Sequence, residues 1–225
     1  MVRRGDAQTL SADVYEQVRS ELLAGAYAPG ARLVPADLCD RYDVKAGVLR
    51  EALSRLASEG LTTLEPNRGF RVIDVSRRRV EELLEMRRIN ECAALRLAVE
   101  RGGPDYEAAC VAALHRFRAT TSDSPERSLA HRDFHLALLS ACGNARLLEL
   151  CESLFEASEL YRRWSLAALR RPARRRPRNQ DAEHRGLLEA VLAHDADRAV
   201  ALHEQHLQRT VDLALDYAAS LDDAS

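Results

Sequence analysis

Residues 35–75 constrain this chain most. Pro35, suited to a first helical turn, opens a short helix whose apolar positions are Leu38 and Tyr42. The connection Asp43 to Ala46 leads into a longer helix through Ser58, which buries Leu49, Leu53 and Leu56 and is stopped by Gly60. The stretch LTTLEPNRGFRVIDV then reads as two strands, Leu61 to Leu64 and Phe70 to Val75, joined by a turn over Pro66, Asn67, Arg68 and Gly69. Upstream, Ser11 is placed to cap a helix reaching about Ala24, with Val14, Val18 and Leu22 every four residues. Gly25, Pro29 and Gly30 break the chain after it. Short helices around a tight turn, followed at once by a hairpin, are the pattern of a winged helix-turn-helix.

After Ser76 the strand signals stop. Ser76 caps a long helix through about Arg101, ended by Gly102, Gly103 and Pro104. Further helices are expected over 105–120, 125–141, 144–168, 181–193 and 196–219, the last capped by Asp195. The fold class expected is mainly α: an N-terminal winged helix-turn-helix domain over 1–75, then an all-helical antiparallel bundle over 76–225. Low aromatic content (5%) beside abundant Ala, Leu and Arg agrees with helix. The five cysteines lack CxxC spacing and read as small hydrophobes of a reducing compartment. The first residues hold no apolar signal core and no stretch is long enough to span a membrane, so a cytoplasmic protein is expected.

The third helix of such a domain enters the major groove by its N-terminus. Here those positions are Lys45, Ala46, Gly47, Val48 and Arg50. With net charge -2, a nucleic-acid surface must be local. Residues 45–71 hold five basic and three acidic side chains, against five and seven over 1–44. The candidate DNA contacts are therefore Lys45, Arg50 and Arg55 on the helix and Arg68, Gly69 and Arg71 on the wing, with double-stranded DNA as partner. The competing reading is a winged domain used for protein interaction.

The run PGARLVPADLCDRYDVKAGVLREALSRLASEGLTTLEPNRGFRV resembles the GntR-family winged domain. It supplies Pro29-Gly30, Leu49-Arg50-Glu51-Ala52-Leu53, Glu59-Gly60-Leu61 and Asn67-Arg68-Gly69. One departure stands out. The family's turn usually reads like Ser-Arg-Thr-Pro, where this chain has Lys45-Ala46-Gly47-Val48. Two arginines that the resemblance would place against bases fall on Ala36 and Ala46, which implies an atypical operator with Lys45 carrying more of the readout.

His131 and His135 stand four apart on one helix and share a face, a spacing that presents two imidazoles to a cation but also arises on ordinary helices. His184 and His206 lie on later helices. The helical part resembles the FCD ligand-binding domain of the FadR-like branch, through Arg87-Arg88-Ile89-Asn90-Glu91, Asp133-Phe134-His135, Glu183-His184, Ala193-His194-Asp195 and His206-Leu207. That resemblance implies a divalent metal on His131, His135, His184 and His206, with His131 where metal-binding members carry aspartate. Asp133, two residues out of register, remains as an outer partner. Four neutral imidazoles leave the ion's full charge, which suits Zn or Ni better than Mg or Ca.

The resemblance also places Arg87 at the pocket of a small organic-acid effector. Its alternative is a salt bridge to Glu91 at i+4. Tyr161, Arg162, Arg163 and Trp164 are further candidates for an acidic ligand, although Trp164 fits packing. His203, His115 and His194 are expected at the surface, and Arg170 to Arg178 reads as a solvated loop. No phosphate loop, nucleophile elbow, HExxH helix or deaminase CxxC is present, so no enzyme is expected. The function expected is a homodimeric DNA-binding repressor under effector control. The alternatives are a metal-dependent helical enzyme and an interaction scaffold.

Overall fold

A computed structural model describes residues 4–23, 26–66, 68–74, 76–121, 125–169 and 179–222. The arginine run Arg170 to Arg178, Asn67, Val75 and the side chain of Trp164 lie outside the described residues.

The N-terminal region runs α1 (Arg4–Leu23), β1 (Arg32–Leu33), α2 (Pro35–Tyr42), α3 (Ala46–Ser58), β2 (Thr62–Glu65) and β3 (Gly69–Val72). Pro35 starts α2 as expected, and Asp43 ends it in a left-handed conformation (φ 49°). This sets α3 two residues later, with Lys45 at its N-cap. Gly60 (φ +73°) ends α3 and brings Leu61 N–H back to the Leu56 carbonyl at 3.0 Å. A side chain at that φ would be strained.

Two details differ from the sequence reading. Helix α1 begins at Arg4, and Ser11 is a buried residue within it, not its cap. The sheet has a third strand: the order is β1-β3-β2, all antiparallel, with Leu33 facing Phe70 and Leu64 facing Phe70 on its other side. Strand β1 has two residues, too few for an alternation signal, and exists because β3 offers it an edge.

The remainder is helical: α4 (Arg77–Arg101), α5 (Pro104–Ala119), α6 (Pro125–Leu139), a 3-10 turn (Ser140–Cys142), α7 (Ala145–Leu169), α8 (Gln180–Leu192) and α9 (Ala196–Asp222). Ser76 Oγ accepts from Arg79 N–H, and Asp195 from Arg198 N–H, so both expected caps form. Gly102 is required by closeness: a Cβ there would sit 2.1 Å from the Tyr106 ring, whose hydroxyl donates to the Leu138 carbonyl at 2.7 Å. Helix α4 packs on both α7 and α9, while α5 packs on α6 and α8. None of the described helices is long and apolar enough to cross a membrane.

The winged-domain core does not close on itself. Val18, Leu22, Leu53 and Leu56 share one cluster with Leu160 and Tyr161 of α7 and Ala214 of α9. A Cβ added at Gly60 would lie 3.5 Å from the Ala157 side chain on α7. The bundle thus supplies part of the hydrophobic face that the small domain must bury. Leu160 is fully buried at this seam. Leu160→Ala is expected to destabilise the protein by about 2–5 kcal/mol, read as a lower denaturant midpoint at unchanged m.

Candidate metal centre and DNA-facing surface

Four imidazoles meet inside the bundle. Helix α6 contributes His131 and His135, α8 contributes His184 and α9 contributes His206. One ring nitrogen of each lies within 4.8 Å of the others. Their exposures are 3%, 3%, 0% and 4%, so all four are shielded from bulk solvent. Ring centroids are 4.5 Å apart for His131–His135 and 4.9 Å for both His135–His206 and His184–His206. Phe117, Phe134 and Phe155 close the surroundings with their rings.

Both ring nitrogens of His131 and of His135 are buried without a hydrogen-bond partner. An unsatisfied buried polar atom costs about 1–3 kcal/mol. A divalent cation with imidazole ligands would answer those nitrogens. Burial holds His131 and His135 well below the usual imidazole range, with Arg162 adding to the effect at His131 and His206 at His135. Both are therefore neutral and able to donate lone pairs to a metal.

Outer partners orient the set. Glu183 accepts from His206 Nδ1 at 2.9 Å, so that a metal would be met by Nε2, and Arg209 donates to the other Glu183 oxygen at 3.0 Å. Asp133 does not take this role: it is exposed and 3.8 Å from Arg132. Of Glu183-His184, the second residue joins the imidazole cluster and the first braces it through His206, one residue apart on α8.

Arg87 is buried in a bidentate pair with Glu91, at 2.5 and 3.1 Å, so the i+4 salt bridge forms. Glu91 also contacts His203 Nε2 at 2.9 Å. His203 is 1% exposed, against the surface position expected for it; its spacing from His206 carries it onto the inward face of α9. Burial opposes ionisation of Glu91, but Arg87 and His203 override it and hold its carboxyl down at about 2. On the other flank Arg162, also buried, takes both oxygens of Glu159 and donates to Ser128 Oγ at 2.9 Å. Two guarded arginines therefore flank the imidazoles. Tyr161 instead packs in the winged-domain core. His115 and His194 are exposed as expected.

In the winged domain Lys45, Arg50 and Arg68 are exposed and form no ion pair with a described residue. Gly69 begins β3 at the wing tip with φ +85°. Arg71 and Arg55 are engaged locally. Arg71 donates to Glu65 at 2.9 Å and to the Gly30 carbonyl at 3.0 Å. Arg55 stacks 3.7 Å above the Tyr15 ring and pairs with Glu59 at 3.5 Å.

Both halves match known families. Residues 10–72 match the bacterial regulatory proteins of the gntR family, and residues 82–209 match the FCD domain. The chain belongs to the GntR family, with an FCD domain. It is 33% identical over 220 residues to the HTH-type transcriptional regulator BphR of Paraburkholderia xenovorans, covering 94% of this chain and 88% of that one. It is also 33% identical over 205 residues to the HTH-type transcriptional repressor GlaR of Escherichia coli, covering 88% and 92%. Among solved structures it superposes on E. coli McbR/YncC with a TM-score of 0.70 at 24% identity, covering 96% and 99%. A GntR-type regulator from a Rhodococcus species gives a TM-score of 0.70 at 25% identity, covering 92% and 97%. This GntR protein is thus a DNA-binding transcriptional regulator, and its domains and relatives are not enzymes.

The cluster has a pH consequence. On unfolding, His131 and His135 recover an ordinary affinity for protons, near the usual imidazole value of 6.5. Below that pH the unfolded chain binds protons that the folded one refuses, so folding stability falls as pH falls. Each histidine contributes a loss of up to about 1.4 kcal/mol per pH unit. Metal-free GntR protein is expected to melt at a progressively lower temperature from pH 7.5 to 5.0, and His131→Phe is expected to flatten that slope in differential scanning calorimetry.

Proposed function

We propose that this GntR regulator divides near residue 75 into an operator-binding domain and an effector-binding domain, and works as a homodimeric cytoplasmic repressor. Its operator affinity is set by a small carboxylate bound beside a divalent ion. The observation that carries this reading is the convergence of four buried imidazoles. His131, His135, His184 and His206 fit Zn or Ni, and the ion would supply a fixed positive charge with coordination positions open to a carboxylate. Because the ligands are neutral and Arg87 and Arg162 are matched by Glu91 and Glu159, an ion would leave the site cationic. An anionic effector suits that charge. The relative GlaR, a repressor by name, supports the repressor reading.

Helix α7 supplies a route between the sites. Within three residues it sends Leu160 and Tyr161 into the winged-domain core and Arg162 towards the imidazoles. An effector that draws Arg162 away from Glu159 shifts the same turn that seats the winged domain. Its differential affinity for the two arrangements becomes a change in operator affinity. In the dimer, two α3 helices address a pseudo-palindrome. Lys45, Arg50 and the wing residues Arg68 and Gly69 contact DNA, with Arg71 and Arg55 joining once released from Glu65 and Glu59.

Two measurements test this. His135→Ala is expected to cut retained zinc or nickel at least tenfold in elemental analysis of dialysed protein; a wild type that holds no metal after loading would remove the site. Lys45→Ala and Arg50→Ala are each expected to weaken binding to upstream genomic fragments by roughly 1–3 kcal/mol, with far-ultraviolet dichroism unchanged. Unchanged binding in both variants contradicts the contact assignment.

A further inference from the structure

The DNA-facing end of the winged domain carries an apolar strip bordered by charged side chains. Val34 and Leu64 are 39% and 49% exposed. Ala36 in the first turn of α2 and Ala46 and Gly47 in the first turn of α3 are exposed as well. Ala46, Gly47 and Leu64 line one groove of about 530 Å³ between the helix-turn-helix and the wing, together with Arg50 and with Glu65, which is paired to Arg71 at 2.9 Å. The rim holds Lys45, Arg50 and Arg68, none of them in an ion pair with a described residue.

The leading turn of α3 therefore has almost no hydrogen-bonding reach. Ala46 offers a methyl group and Gly47 offers bare backbone. Packing does not require the glycine, because a Cβ at Gly47 meets no atom within 4 Å and its φ is not in the left-handed region. Small residues here let the helix approach the base edges closely, and leave them apolar when it arrives.

We propose that this strip reads the C5-methyl groups of thymine, with Ala46 and Gly47 as specificity-determining residues and Lys45, Arg50 and Arg68 anchoring the backbone. Thymine's methyl is the apolar group displayed on the major-groove edge of the standard bases, and alanine is a suitable partner for it. Cations around the strip match phosphates, which position a helix without specifying sequence. A protein partner would leave three cations to be matched, whereas a duplex matches them and fills the groove. The inference rests on the operator-binding reading above.

The test separates the two. Full-length protein selects from a pool of random duplexes, and the enriched duplex is resynthesised with deoxyuridine at each thymidine in turn. Deoxyuridine removes the methyl and keeps every hydrogen-bonding group. Binding is expected to weaken about fourfold at each contacted methyl, at two or more positions per half-site. Ala46→Asn is expected to lose that sensitivity at one position and to select adenine there. An enriched duplex indifferent to deoxyuridine overturns the methyl reading and leaves operator binding standing. Sensitivity that Ala46→Asn does not alter assigns it to duplex stiffness and also overturns it. A pool with no enriched sequence overturns both.

Discussion

Four imidazoles share one dry point in the bundle, and the surrounding structure is organised by the need to answer their nitrogens. Helix α6 supplies two of them from one face, which fixes its rotation, while α8 and α9 must each present one more. Glu183 and Arg209 then set the tautomer of His206. Phenylalanines fill the space that water would otherwise take. Without a cation, several polar atoms are buried at a cost, and His131 and His135 are held neutral against their ordinary titration. With one, the same atoms become ligands, and the neutrality that burial imposes is what ligation requires.

Buried ion pairs flank this point, and on α7 Arg163 shares the Glu159 carboxylate at 3.2 Å. Arg87 with Glu91, and Arg162 with Glu159, each place a buried cation beside a buried carboxylate. A broken pair of this kind leaves an uncompensated buried charge, so these arginines are held firmly until another anion replaces the glutamate. An effector carboxylate would be such an anion. On α7 the exchange would happen one residue from Tyr161, which belongs to the core of the winged domain. The small domain cannot bury its hydrophobic face alone, and the helix that completes its core also borders the imidazoles. The dependence that stabilises the fold is the one through which the effector site would act.

The winged domain was largely legible in the sequence, because punctuation carries it: Pro35, Gly60 and the turn after Pro66 fall where α2, α3 and the hairpin begin or end. Strand β1 was not, since two residues have no periodicity and pair only because β3 is there. Ser11 looked like a cap because its residue type suits one, but the helix had already begun at Arg4. In the bundle, the four-residue spacing of His131 and His135 was visible. The approach of His184 and His206 came from family resemblance, because local pattern does not encode contacts between helices. His203 and Glu183 were misjudged or missed for the same reason: each is defined by a partner on another element. The separation of His203 from His206 by three residues was the available signal.

The measurement closest to the central claim is X-ray absorption at the zinc edge of the zinc-loaded, dialysed protein. The four-histidine account predicts a retained ion whose first shell is dominated by imidazole nitrogens at roughly 2.0–2.1 Å, with the outer-ring scattering that imidazoles give. A shell of oxygen alone, or protein that keeps no zinc, would contradict it.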